Sequence, residues 1–118
     1  MEKLPITIEN SEVTINPTPE GVWLTEHEIA RLFGVFVSAV SANIRSIFKN
    51  EILHEGKVCR RRNFEDGGFV DTYNLEMITA LAFRLKSQEA EWLRQWIMQW
   101  ATNPVIVWKV PDNDSMLN

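Results

Sequence analysis

The amino-acid sequence predicts a single domain of the α+β class, and three observations support that prediction. Residues 25–49 have the apolar periodicity of two short helices on either side of a glycine. Residues 57–73 form two extended segments around an Asp-Gly dipeptide, a strong indication of a hairpin. A chain of 118 residues with 45% hydrophobic content is large enough for one core. Two helices followed by a hairpin are typical of a winged helix-turn-helix-like domain.

The domain is predicted to consist of successive parts. They are a β-hairpin with its loop (1–24), the helix-turn-helix (25–49), the β-wing (57–73), two helices (74–101) and a C-terminal arm or tail (102–118). In the first part, apolar and polar residues alternate on both sides of Asn10-Ser11, as in a hairpin. We expect Trp23, just ahead of the first helix, to be a core anchor, because aromatic side chains bury large areas.

The first helix is predicted from its two ends. Thr25 and Glu28 have the spacing of a capping box, in which each side chain accepts a hydrogen bond from the other residue's backbone N–H. Gly34 ends the helix, because the residue after a helix commonly adopts the left-handed conformation that glycine tolerates.

A second helix is predicted to begin between Val37 and Ser41 and to run to about Lys49, with Ser38 as the first residue able to cap it. Its apolar residues repeat at three- and four-residue spacing and form a buried stripe of Val40, Ile44, Ile47 and Phe48. The pattern fits a helix-turn-helix, whose second helix lies in the DNA major groove. It equally fits a helical hairpin in a small core.

Charge is unevenly distributed along the chain. The formal net charge is −4, from 12 basic and 16 acidic side chains. Residues 38–62 hold six basic and two acidic side chains, so the remainder holds six and fourteen. A basic segment on an acidic body can bind phosphates locally. A charge cluster of this kind is also an ordinary solvated surface, and the sequence leaves both explanations open.

The candidate DNA-binding residues lie on the second helix and the wing. They are Val37, Ser38, Ser41, Ala42, Arg45, Lys49, Arg60, Arg61 and Arg62. Those of the helix that we expect to face outward are Ser38, Ser41, Ala42, Arg45 and Lys49. Strand alternation puts Arg60 and Arg62 on one face of the wing and Arg61 on the other, where arginines could hold phosphates or protect an exposed edge. Phe36 and Val37 stand where a recognition helix usually starts with polar residues. They either contact thymine methyl groups or pack against protein.

Two further helices are predicted after the wing. Asn74 caps a helix over residues 75–85, and Ser87 caps a helix that runs to about Ala101. The last helix presents a stripe of three tryptophans at four-residue intervals: Trp92, Trp96 and Trp100. This tryptophan stripe either packs against the preceding helix or is a homodimer interface, and Phe36 is a second candidate contact to a protein partner.

The sequence contains no recognisable catalytic or metal-binding pattern. His27 and His54 are far apart and Cys59 is the single cysteine, so metal-ligand spacing is absent. Without a glycine-rich phosphate loop or a nucleophile elbow, we expect a protein with no catalytic residue and no cofactor. A lone cysteine, with no apolar span and no signal peptide, leads us to expect a cytoplasmic protein without a membrane partner.

The order of four sequence blocks resembles the bacterial virulence protein RhuM family. The blocks are VWLT at 22–25, IARLFGV and VSANIRSIF within 29–48, KVCR at 57–60 and YNLEMITALAFRLKS at 73–87. The resemblance covers residues 6–100 and implies a winged helix-turn-helix-like module of a bacterial DNA-binding protein. It carries over no catalytic residue and no cofactor.

Two functions follow from the sequence. The first is a small bacterial DNA-binding protein, a transcriptional regulator whose partner is double-stranded DNA. The second is a non-catalytic protein-interaction module on a helix-turn-helix scaffold that no longer binds DNA, with contacts through Phe36 and the tryptophan stripe. Removal of wing arginines should weaken DNA binding only under the first hypothesis.

Overall fold

A computed structural model describes residues 4–16 and 18–102 and confirms the α+β class. In these residues the strands are β1 (Ile6–Glu9), β2 (Glu12–Ile15), β3 (Trp23–Thr25), β4 (Cys59–Asn63) and β5 (Phe69–Asn74). The helices are α1 (Glu26–Phe33), α2 (Val37–Lys49), α3 (Glu55–Val58), α4 (Leu75–Ala82) and α5 (Gln88–Ala101). One antiparallel sheet pairs β1 with β2, and the other has the order β3-β5-β4. Of the predicted C-terminal arm, residues 103–118 lie outside the described residues.

The predicted N-terminal hairpin is confirmed. Asn10 and Ser11 have positive φ angles of 52° and 65°, the backbone of a two-residue turn whose twist matches that of its strands. Ile6 and Ile8 project from β1 into the core and are buried. The hairpin packs against α1 and α5, so it covers one side of the core.

Both predicted ends of α1 are confirmed. The Thr25 hydroxyl accepts from the Glu28 N–H at 3.1 Å, and a Glu28 carboxylate oxygen accepts from the Thr25 N–H at 2.9 Å. At the other end, Gly34 has a φ of +66°. A Cβ atom at Gly34 would lie 3.1 Å from a carboxylate oxygen of Glu89 on α5. The turn conformation and the closeness of α5 therefore both favour glycine here.

α2 begins at Val37 without a capping side chain, because Phe36 occupies the N-cap and makes no side-chain hydrogen bond. The expected cap at Ser38 is wrong, since Ser38 already lies in the first turn. The predicted apolar stripe faces the core, with buried Val40, Ile44 and Ile47 and a half-buried Phe48. The helix ends at Lys49, as predicted.

Strand β4 begins later than predicted. The sequence indicates an extended segment from Lys57, whereas Glu55–Val58 forms one helical turn and β4 begins at Cys59. This turn places Val58 in the core, with 1% of its surface exposed. Burial of that side chain stabilises a conformation that local pattern does not indicate. The Asp-Gly turn between β4 and β5 is confirmed, with Gly67 at a φ of +95°.

The last two helices have the predicted caps. The Asn74 side chain accepts from the Met77 N–H at 3.2 Å, and the Ser87 hydroxyl accepts from the Ala90 N–H at 3.1 Å. One core cluster draws buried residues from all five helices of the described residues. No single helix of residues 4–16 and 18–102 is long and apolar enough to cross a membrane, although α1 and α2 together match a broken span in length and composition.

α4 is shorter than predicted and ends at Ala82 rather than at Leu85. The backbone leaves the α-helical hydrogen-bond pattern there, because the Arg84 N–H donates to the Leu81 carbonyl, only three residues back, at 3.0 Å. Arg94 on α5 then donates from Nη1 to the carbonyls of Ala82 at 2.6 Å and Leu85 at 3.2 Å. The last carbonyls of a helix need partners outside it. A side chain from another helix therefore caps α4, and local pattern does not indicate it.

Candidate nucleic-acid interface

α2 presents three rows of side chains, because residues three and four apart lie on the same face of a helix. The outer row is exposed along the whole helix and contains Ser38, Ala42, Arg45 and Lys49. The row beside it, which we name the α4-side row, contains Ala39, Asn43, Ser46 and Asn50. The sheet-side row contains Val37, Ser41 and Phe48. The outer row thus holds four predicted DNA-binding residues, including both cations of the helix.

Val37 and Ser41, also predicted to contact DNA, lie on the sheet-side row. Val37 is half-buried and packs against the core. The Ser41 hydroxyl donates to one carboxylate oxygen of Glu26, and the Tyr73 hydroxyl donates to the other at 3.3 Å. The prediction that Ser41 faces outward is therefore wrong, because α1 occupies that side of α2. Val37 packs against protein, which is one of the two alternatives that the sequence left open.

Glu26 links α2 to the second sheet through these two hydroxyl groups. The rings of Phe48 and Tyr73 reinforce the link, with their centroids 6.4 Å apart. Burial raises the pKa of the Tyr73 phenol, and the Glu26 carboxylate that accepts its hydrogen bond adds to this shift. The phenol therefore keeps its proton and remains a hydrogen-bond donor. These contacts hold the outer row of α2 at a defined angle to the β4–β5 hairpin.

Arg61 forms an ion pair with Asp71 on the neighbouring strand of the hairpin. Its Nε lies 2.9 Å from Asp71 Oδ1, and its Nη2 lies 3.3 Å from Oδ2. The guanidinium also lies 3.8 Å from the centroid of the Phe69 ring. The hydrogen bond between Arg61 and Asp71 lowers the pKa of the Asp71 carboxyl and raises the pKa of the Arg61 guanidinium. An anion would have to displace Asp71 from the guanidinium, so Arg61 is the least available of the three arginines on β4.

Arg60 and Arg62 lie on the opposite face of the hairpin, as strand alternation predicts. The Arg60 guanidinium carbon lies 4.0 Å from the centroid of the Trp23 ring, whose N–H donates to the Glu20 carbonyl at 2.8 Å. The prediction that Trp23 is a core anchor is wrong, because β3 directs Leu24 into the core and leaves Trp23 half-buried. Neither Arg60 nor Arg62 forms an ion pair with any residue that the structure describes.

Phe36 is highly exposed, with 84% of its surface accessible. It stands at the start of α2 beside an open groove of about 620 Å³ between the α1–α2 turn and the α4–α5 turn. The remaining lining residues are Gly34, Val35, Ala39, Asn43, Arg84, Leu85 and Lys86. Its side chain is not part of the core of the described chain, so it is accessible to a partner.

The tryptophan stripe of α5 is partly covered. Trp92 and Trp96 are half-buried against the core, whereas Trp100 is 48% exposed. Trp96 and Trp100 meet edge to face, with centroids 6.1 Å apart. Phe83 and Met98 are exposed as well. One part of the stripe therefore packs internally, as one alternative predicts, and its C-terminal end is open to solvent.

One cation beside α2 lies outside the predicted set. Arg84 follows α4, yet its Nε is 2.9 Å from Asn43 Oδ1 and its Nη2 is 2.7 Å from Ser46 Oγ, both on the α4-side row. Arg84 is 41 residues from Asn43 along the chain. Because only the packing of α4 against α2 brings it there, no local sequence pattern indicates this position.

Within the described part of the chain, no group of three or more side chains could hold a metal ion. Cys59 is a free thiol. Burial and the nearby Asp71 and Glu55 carboxylates raise its pKa, so the thiol stays protonated near neutral pH and is not activated as a nucleophile.

Comparison with protein-family models, with curated proteins and with solved structures finds no match to this chain. The resemblance to RhuM proteins therefore stays a prediction, and the function is inferred from the geometry described above.

Proposed function

We propose that this protein binds double-stranded DNA as a small bacterial winged helix-turn-helix regulator, with α2 in the major groove and β4–β5 as the wing. The observation that carries the proposal is the outer row of α2, which is exposed and includes Arg45 and Lys49 but no acidic side chain. An α-helix with its side chains is about 10–12 Å wide, and the major groove is about 12 Å wide. The proposal includes no catalytic residue and no cofactor, and it places the protein in the cytoplasm.

The arrangement of α1 and α2 supports the proposal. Their axes bend by 113° across a turn of residues 34–36. Helix-turn-helix pairs have angles of about 90–120° and a short turn that often contains glycine. In such a pair, the first helix crosses the DNA backbone while the second enters the groove. The left-handed Gly34, whose N–H donates to the carbonyls of Ala30 and Arg31, gives this turn a defined geometry.

The β4–β5 hairpin supports the role of a wing. It follows α2 and α3 directly, and β3 extends it to a three-stranded sheet. Arg60 and Arg62 project from one face of β4 without a carboxylate partner in the described residues. A guanidinium group without a carboxylate partner can donate hydrogen bonds to phosphate oxygens, and such contacts position a protein on DNA. Stacking on Trp23 restricts the motion of Arg60.

The test is a titration of a labelled random-sequence duplex with the purified protein at about 50 and about 200 mM salt. We expect the dissociation constant to rise with salt with a logarithmic slope of about 3–6, because each phosphate contact contributes about 0.9. In the double variant Arg45→Ala with Lys49→Ala, we expect the slope to fall by up to about 1.8 for the same reason. An absence of binding at the lower salt concentration would overturn the proposal.

A second candidate function is a protein-interaction module that does not bind DNA. The exposure of Phe36 and the groove beside it favour this candidate. A folded protein that fails to bind the duplex at low salt would support it. Phe36→Asp should then abolish capture of the protein partner without lowering Tm, because the ring already lies in solvent.

We also propose that two copies associate through the C-terminal end of α5, where Met98 and Trp100 are exposed. Exposed apolar groups close together often mark an interface. Helix-turn-helix proteins that bind two half-sites do so as dimers. Light scattering of the purified protein measures the molar mass, and a monomer at all concentrations tested would contradict this part of the proposal.

A further inference from the structure

Arg84 is held in a defined position on the α4-side row of α2. Its two acceptors, Asn43 Oδ1 and Ser46 Oγ, are themselves oriented by hydrogen bonds. The Asn43 amide nitrogen donates to the Ala39 carbonyl at 2.9 Å, which turns the amide oxygen toward Arg84. The Asn50 amide nitrogen donates to Ser46 Oγ at 3.2 Å and to the Ser46 carbonyl at 2.9 Å. The guanidinium therefore rests on groups that belong to the proposed recognition helix.

The charge of Arg84 is not neutralised within the described residues. Their single ion pair joins Arg61 and Asp71. A guanidinium has five N–H bonds, and the two contacts to Asn43 and Ser46 engage two of them. The side chain is exposed, so the other N–H bonds are accessible to a ligand. Arg84 thus combines a fixed position with an unpaired positive charge. In Arg61, by contrast, Nε and Nη2 already bind the Asp71 carboxylate.

The two flanks of α2 differ in the side chains that they contact. On the sheet-side row, Ser41 and Phe48 connect through Glu26 and Tyr73 to the β4–β5 hairpin. On the opposite flank lies Arg84. A helix of about 10–12 Å diameter nearly fills a major groove of about 12 Å, so groups on its two flanks come close to the phosphates of the two groove walls. The outer row between the flanks would face into the groove.

We propose that Arg84 is a second phosphate-binding site, which contacts the DNA backbone on the groove wall opposite the wing. The inference rests on the proposed function, because it requires α2 to lie in the groove. Asn43 and Ser46 are positioning residues, since they hold the guanidinium and are not proposed to touch the phosphate. With contacts on both walls, α2 would be centred in the groove instead of being held from one side.

The test compares Arg84→Ala with Lys86→Ala in the duplex titration at about 50 and about 200 mM salt. Lys86 is the matched control, because it carries the same charge two residues away and makes no side-chain hydrogen bond to the described residues of α2. Arg84→Ala should lower the salt slope by about 0.9, which reduces the ratio of the two dissociation constants by about 3.5-fold. Lys86→Ala should change the slope by less than half as much. Arg84→Lys should retain the slope, because the charge remains.

Asn43→Ala tests the positioning role without removing a charge. It should weaken binding at both salt concentrations while it leaves the slope near that of the natural protein, and Tm measured on each variant separates loss of folding from loss of contact. If the natural protein binds and Arg84→Ala matches Lys86→Ala, the second phosphate site is wrong while the proposed function stands. If the natural protein does not bind the duplex at all, the proposed function fails and the inference fails with it.

Discussion

The two β-hairpins of the described residues are both antiparallel but differ in what packs against them. The first hairpin is covered by α1 and α5, and its strand β1 buries Ile6 and Ile8. In the second, β5 packs against α4 and α1, whereas the part of β4 after Cys59 is exposed and includes three consecutive arginines. A hairpin with a covered face contributes apolar burial to stability. A strand that no layer covers presents its charges to solvent, so substitutions in β1 and in the exposed part of β4 should have different effects.

The largest effect is expected from Ile6→Ala in the first hairpin. Ile6 is 0% exposed, and truncation of such a side chain leaves a cavity that costs about 2–5 kcal/mol of the free energy of unfolding. Chemical denaturation measures this change. Thr14→Ala, an exposed position on the neighbouring strand, is the control and should stay within about 0.5 kcal/mol. Equal effects of the two substitutions would contradict a structural role for this hairpin.

A large effect on binding, with little effect on folding, is expected from Arg60→Ala with Arg62→Ala in the second hairpin. Loss of two phosphate contacts should lower the salt slope by about 1.8. Stability should fall only by the stacking of Arg60 on Trp23, about 0.5–1 kcal/mol. Arg61→Ala is the matched control and should change the slope by less, because Asp71 already neutralises Arg61. An unchanged slope in the double variant would contradict the assignment of the wing.

The smallest effect is expected from Asp71→Asn, which removes the carboxylate that neutralises Arg61. A third wing arginine becomes available, so the salt slope should rise by up to about 0.9. The pKa of Asp71 is lowered in the folded protein. Its ion pair therefore stabilises the fold above the unfolded pKa of about 3.9, and that contribution is lost as pH falls through the lower folded value.

The pH dependence of Tm tests the same ion pair. The natural protein should be slightly more stable than Asp71→Asn at neutral pH, and this difference should disappear as the pH falls below about 4. A difference that persists unchanged at low pH would show that the ion pair is not its source.

Sequence patterns were sufficient where the determinant of a structure lies close by along the chain. Thr25, Asn74 and Ser87 cap their helices as predicted, because each hydrogen bond spans three residues. The patterns were insufficient where a distant group decides the outcome. Val58 enters the core through a helical turn instead of a strand, and Arg94 from another helix caps the end of α4.

In the candidate interface, too, nearby residues determine some features and distant groups determine others. Helical periodicity predicted the outward position of Arg45 and Lys49, and strand alternation separated Arg60 and Arg62 from Arg61. Periodicity could not indicate that Ser41 would be engaged by α1. It defines a face of an element but not the groups that lie opposite that face.

By itself, the sequence determined the α+β class, the N-caps at Thr25, Asn74 and Ser87, the two hairpin turns and the glycine turn at Gly34, because each depends on residues within a few positions of one another. Only the tertiary structure decided which side chains around α2 remain accessible. Glu26 engages Ser41 from 15 residues away, and Arg84 reaches Asn43 from 41 residues away. Such pairs form because the packing of helices brings distant parts of the chain together, and this packing depends on the whole core.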